Sequence, residues 1–575
     1  MSMKRITRKG KPFPTGLTRA AVRLLAVALI AGVAAPIAIR AKMRPDDQVS
    51  QTAQGRSFDQ GVRGDDDWDR DSDDKPIQHL VVIFQENVSF DHYFATYPKA
   101  TGADGSAFTA LPGTPLVDGL FPGGLLDHNP NSTQPFRLGA AGIATCDQDH
   151  NYADEQKAFN AGGMNKFPET VGTGGPPCYD AGKGTGLVMG YYDGNTVTAM
   201  WNYAQHFAMS DRSFSTTFGP STPGAVNLVS GQTHGASLAP DKSGRIGSAA
   251  GNVTAIDAMG IGSVIGDPRP SPALDDCTLP SPAAPSAPRT YITLTGTNIG
   301  DLLNARHVTW GWFQGGFKPP AKPPMGQPNA PVPGICQSFH TSAHSGASYD
   351  YIPHHEPFQY YAQTANPHHL PPAGAWTIGR TDQANHQYDL SDFWDAVDAG
   401  HLPAVSFLKA AAWQDGHAGY SNPLDEQTFI VETINRLQST PEWAHTAVII
   451  LYDDSDGWYD HAMGPIVHQS NTPDDNLFGP GHCGTAPARS FEGRCGYGPR
   501  QPFLVISPWA RQNHVDHNVT DQSSVIRFIE DNWGLGRIGN QSADAIAGSL
   551  AGLFDFNPDH PRAPKLFLTD DGEIK

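Results

Sequence analysis

The chain has 575 residues, a formal net charge of −19 and six cysteines. Its length predicts one large α/β domain with long insertions, or two domains. The acidic balance excludes a nucleic-acid partner, because such partners need a basic footprint. The 61 glycines and 49 prolines indicate that much of the chain is loop.

Residues 1–42 have the layout of a secretory signal, with a basic start and an apolar run at 24–39. This run of 16 residues is shorter than the ~20 that a spanning helix needs. Arg40 and Lys42 stand where a cleavage site is expected, so an uncleaved anchor in the inner membrane remains the alternative. We expect an exported protein, periplasmic or secreted. Residues 43–76 are polar and Asp-rich and predict a disordered linker.

The first predicted strand of the folded part covers residues 79–84, an apolar run that indicates a buried strand of a parallel sheet. Glu86 and Asn87 follow it directly. In open α/β sheets, ligands bind outside the carboxyl ends of the strands. Both side chains can therefore offer an oxygen to a divalent cation at this edge.

The next stretch contains a histidine and a hydroxyl whose roles the residues leave open. His150 is either a hydrogen-bonded structural histidine or a phosphate-contacting one. An amphipathic helix is predicted over residues 197–208. Ser221 then lies in a rigid turn between Gly/Pro pairs, and the local sequence alone favours a simple Ser/Thr turn. A helix predicted to start at Val226 would point its N-terminus toward an anion.

A large Pro-rich insertion is predicted around residues 238–345, where Cys277 and Cys336 could form a staple. Cys483 and Cys495 enclose a Gly-rich loop and form the favoured disulfide. Free core cysteines are the alternative.

A βαβ unit is predicted from a strand at 403–408, a helix at 425–437 and a strand at 447–451, which indicates a parallel sheet. His417 lies a few residues past the first of these strands, in a Gly-flanked loop suited to acid/base chemistry.

Asp453 and Asp454 follow the strand at 447–451. Adjacent carboxylates repel each other unless a cation neutralises them. Together with Glu86 and Asn87 they predict a site for a hard or borderline divalent metal ion, whose identity stays open.

Two motifs carry a resemblance to a known family: Glu-Asn-x-Ser-Phe-Asp-His-Tyr-Phe from Glu86, and Asp-Asp-x-x-Gly-Trp-Tyr-Asp-His from Asp453. They resemble the bacterial phospholipase C / acid phosphatase family of the alkaline-phosphatase-like superfamily. The resemblance implies an α/β fold with a mostly parallel central sheet flanked by helices and long loop-rich insertions. It implies a phosphoesterase domain over residues 77–540 and a C-terminal tail over 541–575.

The resemblance also implies roles for single residues. It places the nucleophile on Ser221, with Thr222 as the fallback. It favours a functional His150, selects His355 over His354 as a phosphate-facing histidine, and makes His417 the acid that protonates the leaving group.

No Ser-His-Asp order surrounds the nucleophile. A metal-bound alkoxide is therefore the expected route to an activated serine. The expected metal ligands are Glu86, Asn87, Asp453, Asp454 and Ser221.

Three departures from the phospholipase members of the family, at Val88, Ser221 and Gly224, favour hydrolysis of phosphate monoesters through a phosphoserine intermediate, the activity of an acid phosphatase. A phospholipase C that cleaves phosphatidylcholine-type diesters is the first alternative. A non-catalytic secreted binding protein is the second. The expected partners are small phosphate esters or phospholipid head groups, and a membrane only through the N-terminal segment.

Overall fold

The computed structural model describes residues 75–100, 108–241, 244–278, 290–318, 338–342, 345–479 and 481–575. All of them belong to one compact unit, residues 67–575. The predicted signal or anchor at 1–42 lies outside the described residues, as does nearly all of the predicted linker.

The described strands, in chain order, are β1 His79–Gln85, β2 Phe136–Arg137, β3 Gly190–Tyr191, β4 Ala208–Ser210, β5 Ser213–Phe214, β6 His234–Ala239, β7 Val253–Thr254, β8 Ile261–Val264, β9 Pro270–Pro272, β10 Thr290–Leu294, β11 Trp310–Gln314, β12 Phe339–Ser342, β13 Gly346–Tyr349, β14 Gln387–Asp389, β15 Val405–Lys409, β16 Thr446–Tyr452, β17 Phe503–Ile506, β18 His514–Asp516 and β19 Thr520–Asp521. The described α-helices are α1 Phe90–Phe94, α2 Tyr152–Phe159, α3 Phe167–Thr170, α4 Thr198–His206, α5 Ser221–Ser230, α6 Ile299–Ala305, α7 Leu390–Asp398, α8 Pro423–Gln438 and α9 Ser523–Trp533.

An eight-stranded sheet in the order β14-β11-β15-β1-β16-β17-β4-β18 forms the centre of the unit. Every strand except β17 runs in the same direction as β1. The apolar runs of β16 and β17 are wholly buried, as expected for strands covered on both faces. The predicted α/β class with a mostly parallel sheet is confirmed.

The predicted βαβ unit is present around the central strand β1. Strands β15 and β16 pair with β1 on its two sides, both in parallel, and α8 connects them. Asn422 caps α8 by accepting hydrogen bonds from the N–H groups of Leu424 and Asp425. Because β1, β15 and β16 are parallel neighbours, their carboxyl ends deliver residues to one edge of the sheet.

A second, five-stranded sheet in the order β7-β8-β6-β10-β9 is built from the region predicted as an insertion and from β6 just before it. The range 238–345 is not one continuous insertion, however, because β11 within it pairs with β15 in the central sheet. The five residues of β11, Trp-Gly-Trp-Phe-Gln, are all buried but show no alternation that would have marked them as a strand.

Two predicted helix boundaries are corrected by the structure. The helix expected over 197–208 ends at His206, and Ala208 already starts β4. The helix expected from Val226 begins five residues earlier, at Ser221, with Pro220 as its N-cap. A proline in the first turn costs no hydrogen bond, so Pro223 does not prevent this earlier start.

Disulfides join Cys483 to Cys495, as predicted, and Cys146 to Cys178. Cys336 lies outside the described residues, so its suggested bond to Cys277 is not described. None of the helices in the described part of the chain is long and apolar enough to cross a membrane.

The C-terminal residues after 540 pack against the central core through buried side chains, among them Leu553, Phe554 and Leu568. The division between domain and tail at residue 540 stays a prediction.

Candidate active site

Ser221 is the first residue of α5, and its hydroxyl lies among the side chains that were predicted to bind a metal. The Oγ atom is 3.0 Å from Asp454 Oδ2, 3.1 Å from Glu86 Oε2 and 3.4 Å from Asn87 Oδ1. The Ser221 side chain is buried, and the first turn of α5 directs the positive end of the helix dipole at the same point. A single point therefore collects a hydroxyl, three oxygen ligands and a helix N-terminus.

The two ligand pairs come from neighbouring strands. Gln85 at the end of β1 is opposite Tyr452 at the end of β16. Beyond these residues the chains stay joined, because Asp453 Oδ1 accepts hydrogen bonds from the backbone N–H groups of Asn87, at 2.9 Å, and of Asp454, at 2.7 Å. The second oxygen, Asp453 Oδ2, is buried and receives no hydrogen bond from a donor among the described residues.

Asp453 and Asp454 are buried carboxyl groups with raised pKa values. Burial, together with Glu86 nearby, raises the pKa of Asp453 to about 7. Burial and the charge of Asp453 raise the pKa of Asp454 well above its ordinary value. A divalent cation held by these oxygens would relieve both effects, and Asp453 Oδ2 is one oxygen that could bind it. The donor set therefore fits the predicted metal ion.

Lys409 and Asp415, which the sequence analysis did not single out, lie beside Glu86. Lys409 ends β15 and forms an ion pair with Glu86 Oε1. Burial raises the pKa of Asp415 well above its ordinary value, and the charge of Glu86 adds to that shift. A lysine at the end of a buried strand is a signal in the sequence that indicates a nearby carboxylate, since lysines are rarely buried without a partner.

His355 and His354 have different partners. His355 Nδ1 lies 3.0 Å from Glu86 Oε1, and burial keeps its pKa well below the ordinary value. His354 Nε2 lies 2.9 Å from the Asp267 carboxylate, which also accepts a hydrogen bond from Thr222 Oγ1 at 3.3 Å. His355, the predicted choice, therefore contacts a metal-ligand candidate, whereas His354 lies beside the helix that carries Ser221.

His150 and His417 lie close to each other, with ring centres 6.2 Å apart. Burial opposes a charge on His150, but the carboxylates of Asp454 and Asp456 outweigh it and raise the pKa of His150 well above its ordinary value. His417 Nδ1 lies 2.5 Å from the carbonyl oxygen of Ala418, and because a carbonyl oxygen only accepts, Nδ1 carries a proton. Both rings line the same cavity.

A cavity of about 450 Å³ is lined by the four histidines. Its wall includes all four histidines, the residue that precedes Ser221, a tyrosine ring and three carboxylates: His150, His354, His355, His417, Pro220, Tyr420, Asp147, Asp149 and Asp267. Two clusters in this region have the spacing to hold a metal ion, Glu86 with His355 and Asp415, and His150 with His417 and Asp456. The cavity has space for a phosphate group, and Pro220 in its wall directly precedes Ser221.

Comparison with known proteins supports the resemblance seen in the motifs. The model of the Phosphoesterase family matches residues 77–536. Non-hemolytic phospholipase C of Pseudomonas aeruginosa is 24% identical over 508 residues, which cover 86% of this chain and 59% of that protein. Phospholipase C B of Mycobacterium tuberculosis is 25% identical over 516 residues, which cover 85% of this chain and 82% of that protein.

The coverage differs between these relatives. This chain spans less than two thirds of the length of the Pseudomonas aeruginosa enzymes that it matches. A crystal structure of a protein in the alkaline phosphatase superfamily from Vibrio parahaemolyticus is similar over 70% of this chain and 74% of that one, with a TM-score of 0.26 and 10% identity. The α/β fold class therefore rests on the strand order and strand directions of the central sheet.

Proposed function

This chain belongs to the Phosphoesterase family, and on that premise we propose that it is a metal-dependent phosphodiesterase of the phospholipase C type, with Ser221 as its nucleophile. The predicted phosphoric ester hydrolase is confirmed at the level of the family. The observation that carries the proposal is the position of Ser221 Oγ, within 3.4 Å of oxygens from Glu86, Asn87 and Asp454.

A diester substrate is proposed in place of the phosphate monoester that the sequence favoured. Both relatives described above are named as phospholipases C. Two of the three departures that favoured a monoester have a packing reason in this chain. Val88 is 1% exposed and packs in the core, and a Cβ on Gly224 would lie 2.2 Å from the carbonyl oxygen of Asp453.

The charge of the cavity also supports a diester. The described residues that line it include no lysine or arginine, whereas Asp147, Asp149 and Asp267 add negative charge. A monoester dianion needs more compensating positive charge than a diester with one negative charge. A cationic head group such as choline would be attracted by these carboxylates and could stack on Tyr420.

The proposed reaction starts with in-line attack of Ser221 Oγ on phosphorus as the bond to the leaving alcohol breaks. The hydroxyl proton passes to a neighbouring carboxylate, either Glu86 or Asp454. His150 and His417 hold the phosphoryl oxygens, and one of them protonates the leaving oxygen. Water then cleaves the phosphoserine ester. A divalent cation at Glu86, Asn87, Asp453 and Asp454 would supply the Lewis acidity that favours the deprotonated serine.

The test compares wild type with Ser221→Ala on p-nitrophenyl phosphorylcholine and on p-nitrophenyl phosphate. We expect the wild type to prefer the diester and Ser221→Ala to lose at least ~10³-fold in kcat, because the covalent route is gone. Ser230→Ala is the matched control, since Ser230 lies in the same helix and donates to the carbonyl oxygen of Val226. A Ser221→Ala variant as active as this control would refute the mechanism, and preference for the monoester would restore the acid phosphatase.

We also propose that the protein is exported. The two disulfides of the described residues support this, because disulfides persist in oxidising compartments. Fractionation of cells that express the full chain tests it, and recovery of the protein with reduced cysteines in the cytoplasm would contradict it.

A further inference from the structure

The two metal-binding segments must keep a fixed spacing after they leave the sheet. They are residues 86–92, after β1, and residues 453–461, after β16. Past the paired strands β1 and β16, the two segments are joined by two hydrogen bonds. Val88 N donates to Asp454 O at 3.0 Å, and Ser89 Oγ donates to the carbonyl oxygen of Tyr459 at 2.9 Å. The cation ligands therefore lie at one end of a strip in which two loops run side by side.

A buried charge cluster closes the other end of this strip. Asp91 N donates to Asp460 Oδ2 at 3.1 Å, and His461 N donates to Asp91 Oδ2 at 2.8 Å. The His461 ring bridges Asp91, at 2.7 Å, and Asp118, at 3.2 Å. The side chains of Asp91 and Asp460 are almost completely buried.

Arg500 supplies the positive charge of this cluster. Its fully buried guanidinium reaches Asp91 at 3.2 Å and Asp460 at 3.1 Å, and its Nη1 donates to the carbonyl oxygens of Asp118 and Asp211. It also lies over the ring of Phe90, 4.3 Å from the ring centre. We call Arg500, Asp91, Asp460 and His461 the Arg500 cluster.

The Arg500 cluster has the spacing of a metal site but is already filled. Asp91, Asp460 and His461 lie close enough together to hold an ion. The guanidinium, however, makes a forked contact with Asp460 through Nε and Nη2 and a single bond from Nη2 to Asp91. The planar fork fixes the distance and the angle to Asp460 together. A metal ion here would have to displace a buried arginine.

We propose that Arg500 is a positioning residue that sets the spacing of the two metal-binding segments and thereby the affinity for the catalytic metal. This inference rests on the proposed function, because it assumes a cation at Glu86, Asn87, Asp453 and Asp454. Residues that orient metal ligands from outside the coordination shell typically change metal affinity ~10–100-fold when mutated.

The test is calorimetric titration of the metal-stripped full chain with Mn²⁺, for wild type and Arg500→Lys. Lysine keeps the charge but cannot form the fork. We expect the Kd for Mn²⁺ to rise ~10–100-fold. The matched control is Arg494→Lys, because Arg494 is also buried but donates to the backbone carbonyls of Gly231 and Gln541, away from the strip. We expect this control to lower the Tm and to leave the Kd within about threefold.

Equal Kd values for Arg500→Lys and wild type, or equal losses in the two lysine variants, would overturn the inference. If wild type itself bound no Mn²⁺, the metal in the proposed function would fail instead. If Arg500→Lys does not fold, His461→Gln takes its place. His461 is partly exposed, and this substitution removes only the ring that bridges Asp91 and Asp118. A smaller rise in Kd is then expected, and no rise would count against the role of the cluster.

Discussion

The Ser221 site and the Arg500 cluster lie at the ends of the same two loops and face the same physical problem. Each buries several carboxylates, which is costly unless positive charge is close. The Arg500 cluster has its cation built in, and each of its carboxylates is bonded to it. The Ser221 site has Lys409 for Glu86, and the pKa of Asp453 is raised to about 7 and that of Asp454 well above its ordinary value. Burial also raises the pKa of Asp460 in the Arg500 cluster, to about 6, so the raised pKa alone does not separate the two sites. The difference lies in direct contact: both carboxylates of the Arg500 cluster are bonded to the guanidinium, whereas Asp453 and Asp454 form no ion pair with a lysine or arginine among the described residues. Buried carboxylates without such a partner are the ones that indicate a bound ion.

This comparison makes opposite predictions for two similar mutations. Asp454→Asn should abolish Mn²⁺ binding and lower kcat at least ~10³-fold, yet raise the Tm of the metal-free protein, because it removes a buried carboxyl group whose ionisation is opposed by burial and by Asp453. Asp460→Asn should lower the free energy of unfolding of the metal-free protein by about 3–5 kcal/mol, because the buried Arg500 loses one of its two carboxylate partners. Thermal unfolding of both metal-stripped variants, with activity measured alongside, checks this. If both variants moved the Tm in the same direction, the distinction between the clusters would not hold.

A second prediction tests how closely α5 must approach the acidic site. In Gly224→Ala the new Cβ would lie 2.2 Å from the carbonyl oxygen of Asp453. The helix must then move away, and because a misplacement of 1 Å typically costs ~10²-fold, kcat should fall by that order. Gly123→Ala is the control, since its nearest neighbour is a Leu125 side-chain atom at 3.6 Å. Unchanged kcat in Gly224→Ala would mean that the contact is loose in solution.

The smallest predicted effect concerns Glu426, a buried carboxyl group whose raised pKa favours its neutral form. Glu426 accepts hydrogen bonds at 2.6 Å from the hydroxyls of Tyr93 and Tyr452, and burial raises its pKa to about 7. Its contribution to stability is full below the ordinary pKa of a glutamate and is lost as the pH rises through about 7. Over that range we expect wild type to lose up to about 3 kcal/mol relative to Glu426→Gln.

Tm measured from pH 5 to pH 8 on the metal-stripped proteins gives this difference. Glu432→Gln, an exposed position in the same helix α8, serves as the control and should keep the wild-type pH dependence. A Glu426→Gln variant that followed the wild-type curve would show that Glu426 ionises normally in the folded protein.

Local patterns predicted the parts of the site that follow long buried strands. Apolar runs marked β1 and β16, and the residues after them, Glu86, Asn87, Asp453 and Asp454, were predicted from position and chemistry. The resemblance supplied Ser221, which the local sequence alone would have left as a turn.

The remaining parts depend on contacts between distant segments. Lys409, Asp267 and Arg500 acquire their roles from partners in other loops, and no local spacing encodes such pairs. The start of α5 was missed because Pro223 and Gly224 look like helix breakers. In the structure, the proline fits the first turn, and the glycine is required by the backbone of Asp453.

The pairing of β1 with β16 has a consequence for when the site can form. Asn87, whose backbone N–H donates to the Asp453 carboxylate, is 366 positions from Asp453 in the chain. An emerging polypeptide that has released β1 therefore waits for most of its remaining length before any metal ligand from β16 is available, and such long-range closure is slow. Until β16 is made, the growing chain contains only Glu86 and Asn87 of the four proposed metal ligands, and these two are not yet held in place by Asp453. Binding of the proposed metal ion is therefore expected only after β16 has been synthesised and has paired with β1.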